Sequence, residues 1–148
     1  MFKIIIATLL IFSILQAKEY KAVFDCSSDN AYYIKTRMWL IGKTMDMIEK
    51  KGDKATFVLT LHGGCVPMVS KNYEEIIDDN DLANIKKAQQ YLVDLSKKRK
   101  IKIIACAMSL NSNAIDKKEV LPFISISDNS FIDTIGYQND GYALMSFK

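Results

Sequence analysis

The chain has 148 residues, of which 49% are hydrophobic and 25% are charged, and its formal net charge is +3. This length favours one globular domain, and the composition excludes a disordered, collagen-like or low-complexity chain. The net charge is too small to indicate a nucleic-acid-binding protein, so we expect no nucleic-acid partner.

The first residues have the layout of a secretory signal peptide. A short basic start precedes an apolar run of twelve residues, 4–15, and the small Ala17 ends the pattern. Because a membrane-spanning helix usually needs about 20 apolar residues, we predict cleavage after Ala17, with an uncleaved anchor as the alternative. The predicted organisation is a signal peptide, 1–17, and a periplasmic domain, 18–148, with no stable membrane insertion after cleavage.

The mature chain begins with a strand and an amphipathic helix. Residues 20–25 are rich in β-favouring side chains, and Ser28 or Asp29 is suited to cap a following helix. Apolar residues then recur at spacings of three and four, which is typical of one buried helix face. They are Ile34, Met38, Ile41, Met45 and Ile48. Gly52 has the residue type that often ends a helix in the left-handed conformation.

A second strand and a second helix follow. The β-branched residues of 55–61 predict the strand, and the glycines and proline of "HGGCVP" end it. We predict a loop or a short helix over residues 68–80. An apolar stripe with one polar position then predicts a helix. Its members are Leu82, Ile85, Gln89, Leu92 and Leu95.

The last third of the chain contains three further strand-like runs. Residues 101–105 predict the third strand, and 106–115 a short helical turn after it. Residues 123–127 predict the fourth strand and 141–147 the last one. Between these two strands Asp128 is the predicted cap of another helix. Its apolar residues are Phe131, Ile132 and Ile135.

This alternation of strands and helices predicts an α/β domain with a mostly parallel five-stranded sheet and helices on both faces. Parallel strands joined by right-handed crossovers end at the same edge of a sheet, and ligands bind beyond that edge. Cys26, Cys65 and Cys106 each lie at or just past the end of a predicted strand, so we expect all three at that edge. A strand order of 2-1-3 would place Cys26 at the centre.

Cys106 is the candidate nucleophile. It ends the third strand where a helix is predicted to begin, and N–H groups at a helix start stabilise a thiolate and lower its pKa. A thiolate attacks electrophilic sulfur, and the terminal sulfur of a persulfide is passed on by the same exchange chemistry. The alternative interpretation of Cys106 is a small, buried and inert cysteine.

We predict that His62, Cys65 and Cys26 contribute to a binding site at the same edge. In an oxidising compartment thiols tend to pair, and three is an odd number, so at least one cysteine is unpaired or otherwise engaged. A Cys26–Cys65 disulfide would leave Cys106 free. The alternatives are a packing role for Cys65 and a soft-metal site built from His62 and the cysteines. The spacing contains no CxxC or HxxxH, so we predict no metal and no cofactor.

Taken in order, five segments resemble the DsrE/DsrF-like sulfur-relay family, in particular its exported single-domain members. The segments are "KAVFDCSSD", "VLTLHGGCV", "IKIIACAMSLN", "LPFISISDNSF" and "IGYQNDGYALM". The resemblance covers residues 20–148 and implies a flavodoxin-like three-layer sandwich and a trimeric or hexameric homo-oligomer. In sulfur-relay members a cysteine after the third strand carries a persulfide, and Cys106 occupies that place. Cys26 and Cys65 are additional to the family pattern.

The resemblance implies an exported sulfur-handling protein, in which Cys106 carries persulfide or sulfane sulfur between a donor and an acceptor protein. The sequence leaves open whether the protein turns over as a sulfurtransferase. The alternative function is a non-catalytic oligomeric module that binds a small ligand or a soft metal and uses its cysteines structurally.

Overall fold

The computed structural model describes residues 17–147, so the predicted signal peptide, apart from its last residue, lies outside the described part of the chain. The strands are β1 Glu19–Cys26, β2 Lys54–Leu61, β3 Lys102–Cys106, β4 Ser125–Ser127 and β5 Ala143–Phe147. The α-helices are α1 Ala31–Glu49, α2 Leu82–Lys97, α3 Ala107–Ser112 and α4 Ser130–Asn139. Short 3₁₀ helices span Gly63–Val69, Tyr73–Glu75 and Lys117–Glu119. Within residues 17–147, none of the helices has the length and apolar character needed to cross a membrane.

The five strands pair in parallel in the order β4-β3-β2-β1-β5, which confirms the predicted α/β class with a parallel five-stranded sheet. The predicted order 2-1-3 is wrong, because β2 lies between β1 and β3. The last five residues of β2, 57–61, are all buried. A strand that is covered on both faces belongs at the centre of a sheet, and this burial is the physical reason for the position of β2.

Helices α1 and α2 cover one face of the sheet, hereafter the α1/α2 face, and enclose the main core. The strand residues Phe24, Leu59 and Ile103 are buried in it. The predicted stripe of α1 is confirmed, since its first four members are buried and Ile48 packs against them. The polar position in the α2 stripe, Gln89, has a structural explanation. Its amide donates hydrogen bonds of 2.8 Å to two carbonyls of the segment after β2 and so holds that segment against the helix.

The opposite face, hereafter the α4 face, carries much less apolar cover. Val23, Val58 and Ile104 form a small cluster there, against which Tyr137 of α4 and Tyr142 pack. The predicted apolar positions of α4 do not point into this cluster. Their side chains are 65%, 68% and 57% exposed at Phe131, Ile132 and Ile135 respectively. The α4 face therefore leaves apolar side chains in solvent close to the edge where the strands end.

The cap of α1 lies later than predicted. Asn30, and neither Ser28 nor Asp29, is the N-cap, and its side-chain oxygen accepts a hydrogen bond of 2.9 Å from the backbone N–H of Tyr33. The Ser28 hydroxyl instead accepts from the backbone N–H of Asn30 at 3.3 Å. Three neighbouring polar residues compete for this role, and the path of the chain from β1 selects the third.

Cys26 and Cys65 form a disulfide that joins the end of β1 to the 3₁₀ helix after β2. Both residues are fully buried, and their Cα atoms are 5.9 Å apart across a sequence separation of 39 residues. In the chain-entropy account, closing a loop of this length stabilises the fold by about 4 kcal/mol. The pairing leaves Cys106 as the free cysteine among the three in the chain.

Candidate functional site

The pleat of the sheet places a carboxylate and a thiol on the α4 face. Val23 and Ile104 lie on this face, and side chains two positions along a strand return to the same side. Asp25 and Cys106 therefore also lie on the α4 face, at the carboxyl edge of the sheet. Cys26 follows the opposite parity and belongs to the main core. The cysteines share an edge, as predicted, but not a face.

The register of the sheet places His62 beside Cys106. Leu61, the last residue of β2, pairs with Ala105 of β3. The residues that follow them, His62 and Cys106, are therefore neighbours. His62 and Cys106 interact electrostatically, and the negative charge of a thiolate at Cys106 favours the protonated imidazole. The predicted nucleophile, Cys106, and one of the predicted binding residues, His62, are thus brought together.

Asp25 holds the imidazole in place. His62 Nε2 lies 3.1 Å from Asp25 Oδ2, and the Thr60 hydroxyl donates a hydrogen bond of 2.7 Å to Asp25 Oδ1. The hydrogen bond to Asp25 raises the pKa of His62, burial opposes this change, and the charges of Asp25 and Cys106 reinforce it. The ring of Phe131 meets the imidazole edge-on, with a centroid distance of 6.1 Å. The pair Asp25–His62 therefore favours the cationic form of the imidazole next to Cys106.

The residue Cys106 is only 4% exposed, yet hydrogen-bond donors stabilise its sulfur. Burial raises the pKa of the thiol, but the backbone N–H groups of Ser109, Ser130 and Met108, together with the Ser109 hydroxyl, lower it by a larger total. The net pKa of Cys106 lies below the ordinary value for cysteine. Cys106 is thus buried, as in the inert interpretation, but its surroundings stabilise the thiolate.

Two local contacts position these donors. The backbone N–H of Gly63 donates a hydrogen bond of 3.0 Å to the Ser109 hydroxyl oxygen, which links the loop after β2 to α3. At the start of α4, Asn129 is the N-cap in place of the predicted Asp128, and its side chain accepts a hydrogen bond of 2.8 Å from the Phe131 N–H. The beginning of α4 is thereby fixed where the Ser130 N–H meets Cys106.

The site also contains residues that the sequence analysis missed. Asp25, Ser109 and Ser130 take part in the site, and neither their spacing nor their type gives a motif. For Asp25 the usable signal was a charged residue directly after the apolar run 22–24 of β1, on the face opposite to Phe24. Ser109 and Ser130 donate through their backbones, and this contribution depends on where the two helices begin.

The soft-metal site that the sequence analysis gave as an alternative does not have its cysteine ligands available. The sulfurs of Cys26 and Cys65 are bonded to each other, so they are not the thiolates that bind a soft ion. Among residues 17–147, no group of three or more histidine, cysteine, aspartate and glutamate side chains is arranged to hold a metal ion.

Comparison with known proteins places this geometry in a family. The model of the DsrE/DsrF-like family matches residues 21–147. An uncharacterized protein of Aquifex aeolicus (strain VF5) is 31% identical over 149 residues, which cover 98% of this chain and 66% of that protein. The chain thus spans just under two thirds of the length of this relative.

A solved structure supports the fold. The protein of unknown function MTH1491 from Methanobacterium thermoautotrophicum matches with a TM-score of 0.67 at 13% sequence identity. The match covers 86% of this chain and 99% of that chain. At this identity the similarity establishes a shared architecture and carries no information about substrate.

The donors around Cys106 lead to a prediction for Ser109→Ala. Loss of the hydroxyl removes one donor to the sulfur, so the pKa of Cys106 rises. We expect the pH midpoint of alkylation by iodoacetamide to lie below that of an ordinary cysteine in the wild type and to move upward in the variant. Ser112→Ala is the matched control, because the Ser112 hydroxyl donates to the Met108 carbonyl at 3.0 Å. Equal midpoints in Ser109→Ala and the wild type would contradict the assignment.

A second prediction concerns His62→Gln and pH. Because the folded-state pKa of His62 is raised, its contribution to stability is complete below the unfolded pKa of about 6.5 and is lost as pH rises through the folded pKa. We expect the variant to lose more free energy of unfolding at pH 5 than at pH 9. Urea denaturation in a Cys106→Ser background measures this without the titration of the thiol.

The control for this measurement is Lys54→Gln, which removes an exposed ion pair of 3.0 Å with Glu19. Its effect is expected to stay constant between the two pH values, because no histidine takes part in this ion pair. A His62→Gln loss that is the same at pH 5 and pH 9 would show that the imidazole is not held as a cation by Asp25.

Proposed function

The chain belongs to the DsrE/DsrF-like family, and from this premise we propose that it is a sulfane-sulfur carrier that uses Cys106. One observation carries the proposal. The unpaired cysteine lies at the carboxyl edge of the sheet, among N–H donors and beside a histidine that favours the cationic form. This environment lowers the pKa of the sulfur, and the thiolate is the form that attacks sulfur electrophiles.

The proposed reaction is a pair of exchange steps. The Cys106 thiolate attacks the outer sulfur of a donor persulfide, a new S–S bond forms, and the donor leaves as a thiolate with the electrons of the broken S–S bond. Cys106 then holds the transferred sulfur as a persulfide. An acceptor thiolate attacks that terminal sulfur and regenerates the Cys106 thiolate. The two steps balance without an external oxidant or reductant.

His62 and Asp25 have distinct roles in this scheme. The imidazolium lowers the energy of negative charge on Cys106, both before the attack and when the sulfur leaves. Asp25 touches neither donor nor acceptor and acts by orienting the ring through the 3.1 Å contact. Asp25 is therefore a positioning residue.

We further propose that the protein is exported to the periplasm and assembles there as a trimer or hexamer. The Cys26–Cys65 disulfide supports an oxidising compartment, since such bonds are rare in the cytosol. The exposed apolar residues of α4 support assembly, because contiguous apolar side chains in solvent mark interaction surfaces. The partners outside the oligomer are a protein that donates sulfur and one that accepts it.

Purification from the periplasmic fraction tests these two points together. Mass spectrometry is expected to find a chain that begins at Lys18 and contains the disulfide, and light scattering is expected to give the mass of a trimer or a hexamer. A chain that keeps residues 1–17 in the cytoplasmic fraction would contradict export, and one that keeps them in the membrane fraction would contradict cleavage and favour the uncleaved anchor. A monomer at micromolar concentration would contradict assembly.

The carrier proposal predicts that Cys106→Ser loses the ability to hold sulfur. The wild-type protein, treated with polysulfide and freed of small molecules, is expected to gain the mass of one sulfur atom in the peptide that contains Cys106. The double variant Cys26→Ala/Cys65→Ala is the matched control, since it removes the two other sulfurs and keeps the proposed carrier.

Two outcomes would count against the carrier function. Equal sulfur loading of Cys106→Ser and the wild type would show that another group holds the sulfur. A wild-type protein whose Cys106 accepts neither sulfur nor iodoacetamide would instead favour the non-catalytic binding module, in which all the cysteines are structural.

A further inference from the structure

A cavity of about 470 Å³ opens between α1 and the strands β1 and β5 on the α1/α2 face, on the other side of the sheet from Cys106. Its wall is mostly apolar and aromatic. The principal apolar members are Phe24, Leu40, Ile41, Phe57, Met145 and Phe147. Leu40 and Met145 are 39% and 49% exposed, so they form an open rim. The volume falls in the range of about 300–1,000 Å³ that is typical of small-molecule sites.

Arg37 lines this cavity, and no carboxylate among residues 17–147 forms an ion pair with it. Its guanidinium stacks on the ring of Tyr33, with the central carbon 4.5 Å from the ring centroid. The Nε atom is shielded from solvent and has no hydrogen-bond acceptor. Within the described residues, the cavity wall contains no aspartate or glutamate. The guanidinium therefore brings a positive charge to the cavity wall with no acidic residue of the wall to balance it, so the site favours a ligand that brings an anionic oxygen.

Two other polar side chains of the wall, Thr44 and Lys21, are already engaged. The Thr44 hydroxyl donates a hydrogen bond of 2.9 Å to the carbonyl of Leu40. Lys21 donates to the carbonyl of Asp140 at 2.8 Å, and its ammonium group lies 4.6 Å from the centre of the Tyr142 ring. Its charge is therefore directed to that contact. Arg37 remains as the cation that is available to a ligand.

We propose that this cavity binds a small amphipathic anion: an unbranched alkyl carboxylate whose chain packs on the apolar wall and whose carboxylate accepts hydrogen bonds from Arg37. A purely apolar occupant, whether an apolar surface of a second copy or the apolar residues 4–15, would leave the charge of the guanidinium without an anionic partner. An alkyl carboxylate fits both features, because its chain packs on the apolar wall and its carboxylate pairs with the guanidinium. The site is separate from Cys106 and needs no sulfur chemistry.

Calorimetric titration of the full chain with decanoate, and with decanol as its neutral counterpart, tests the proposal. We expect decanoate to bind at one site and decanol to bind about 10- to 100-fold more weakly, because it lacks the charge-assisted hydrogen bond. Arg37→Gln is expected to weaken decanoate by the same factor and to leave decanol unchanged. Cys106→Ser is expected to bind decanoate as the wild type does.

Two further variants make the result specific to this cavity. Lys43→Gln removes an exposed cation from the same helix, outside the cavity, and is expected to have no effect on decanoate. Ala143→Trp places a large ring on the exposed edge strand at the cavity wall and is expected to abolish binding of both compounds.

Several results would overturn the proposal. These are the absence of decanoate binding, equal affinity for decanol and decanoate, an equal loss in Lys43→Gln and Arg37→Gln, and unchanged binding in Ala143→Trp. A change of sedimentation coefficient in Ala143→Trp would also overturn it, since that result would identify the cavity as a contact between copies of the chain.

Discussion

The candidate site depends on one interaction, the stabilisation of the Cys106 thiolate by N–H groups from two different helices. Met108 and Ser109 donate from α3, which begins directly after the cysteine, and Ser130 donates from α4, which begins after β4. Strand β4 lies next to β3, so the start of α4 comes close to the end of β3. The parallel topology thus brings two helix starts to one sulfur atom. Because N–H groups at a helix start favour negative charge, the fold itself lowers the pKa of this thiol against the opposing effect of burial.

The two faces of the sheet have different roles, because successive side chains of a strand alternate between the main core and the α4 face. Along β1, Phe24 and Cys26 contribute to the main core, whereas Asp25 between them reaches the α4 face and pairs with His62. The disulfide of Cys26 therefore braces the same strand end that carries the site carboxylate, but from the other side of the sheet. A one-residue shift of register would exchange these roles and bury the carboxylate. Cys26 can stabilise the fold and its neighbour Asp25 can belong to the site, because the pleat directs their side chains to opposite faces of the sheet.

Local patterns were sufficient to predict the strands, the long helices and the α/β class, since each depends on a period of hydrophobic residues. The strand order was not predictable in this way, because the burial of β2 on both faces reflects contacts between distant segments. The predicted cap positions were wrong where two neighbouring residues are equally suited to cap a helix, as with Asp128 and Asn129. In the site, Cys106 and His62 were found because both follow strand ends. Asp25 was not, since its role requires knowing which face of β1 it occupies.

The low exposure of Cys106 and its stabilised thiolate have opposite effects on reactivity, and together they select its reaction partners. Thiolate character increases the rate with every sulfur electrophile and oxidant, whereas a residue exposure of 4% limits which of them reach the sulfur. In an oxidising compartment an exposed thiolate would pass to sulfenic and sulfinic acids or pair with another thiol. Burial beneath the starts of α3 and α4 restricts those reactions, while the N–H groups and His62 maintain the charge that sulfur transfer needs. A free cysteine in a chain that also contains a disulfide is therefore consistent with a carrier. Restricted access protects the sulfur of Cys106 from oxidation, and the surrounding charges and N–H groups keep it reactive.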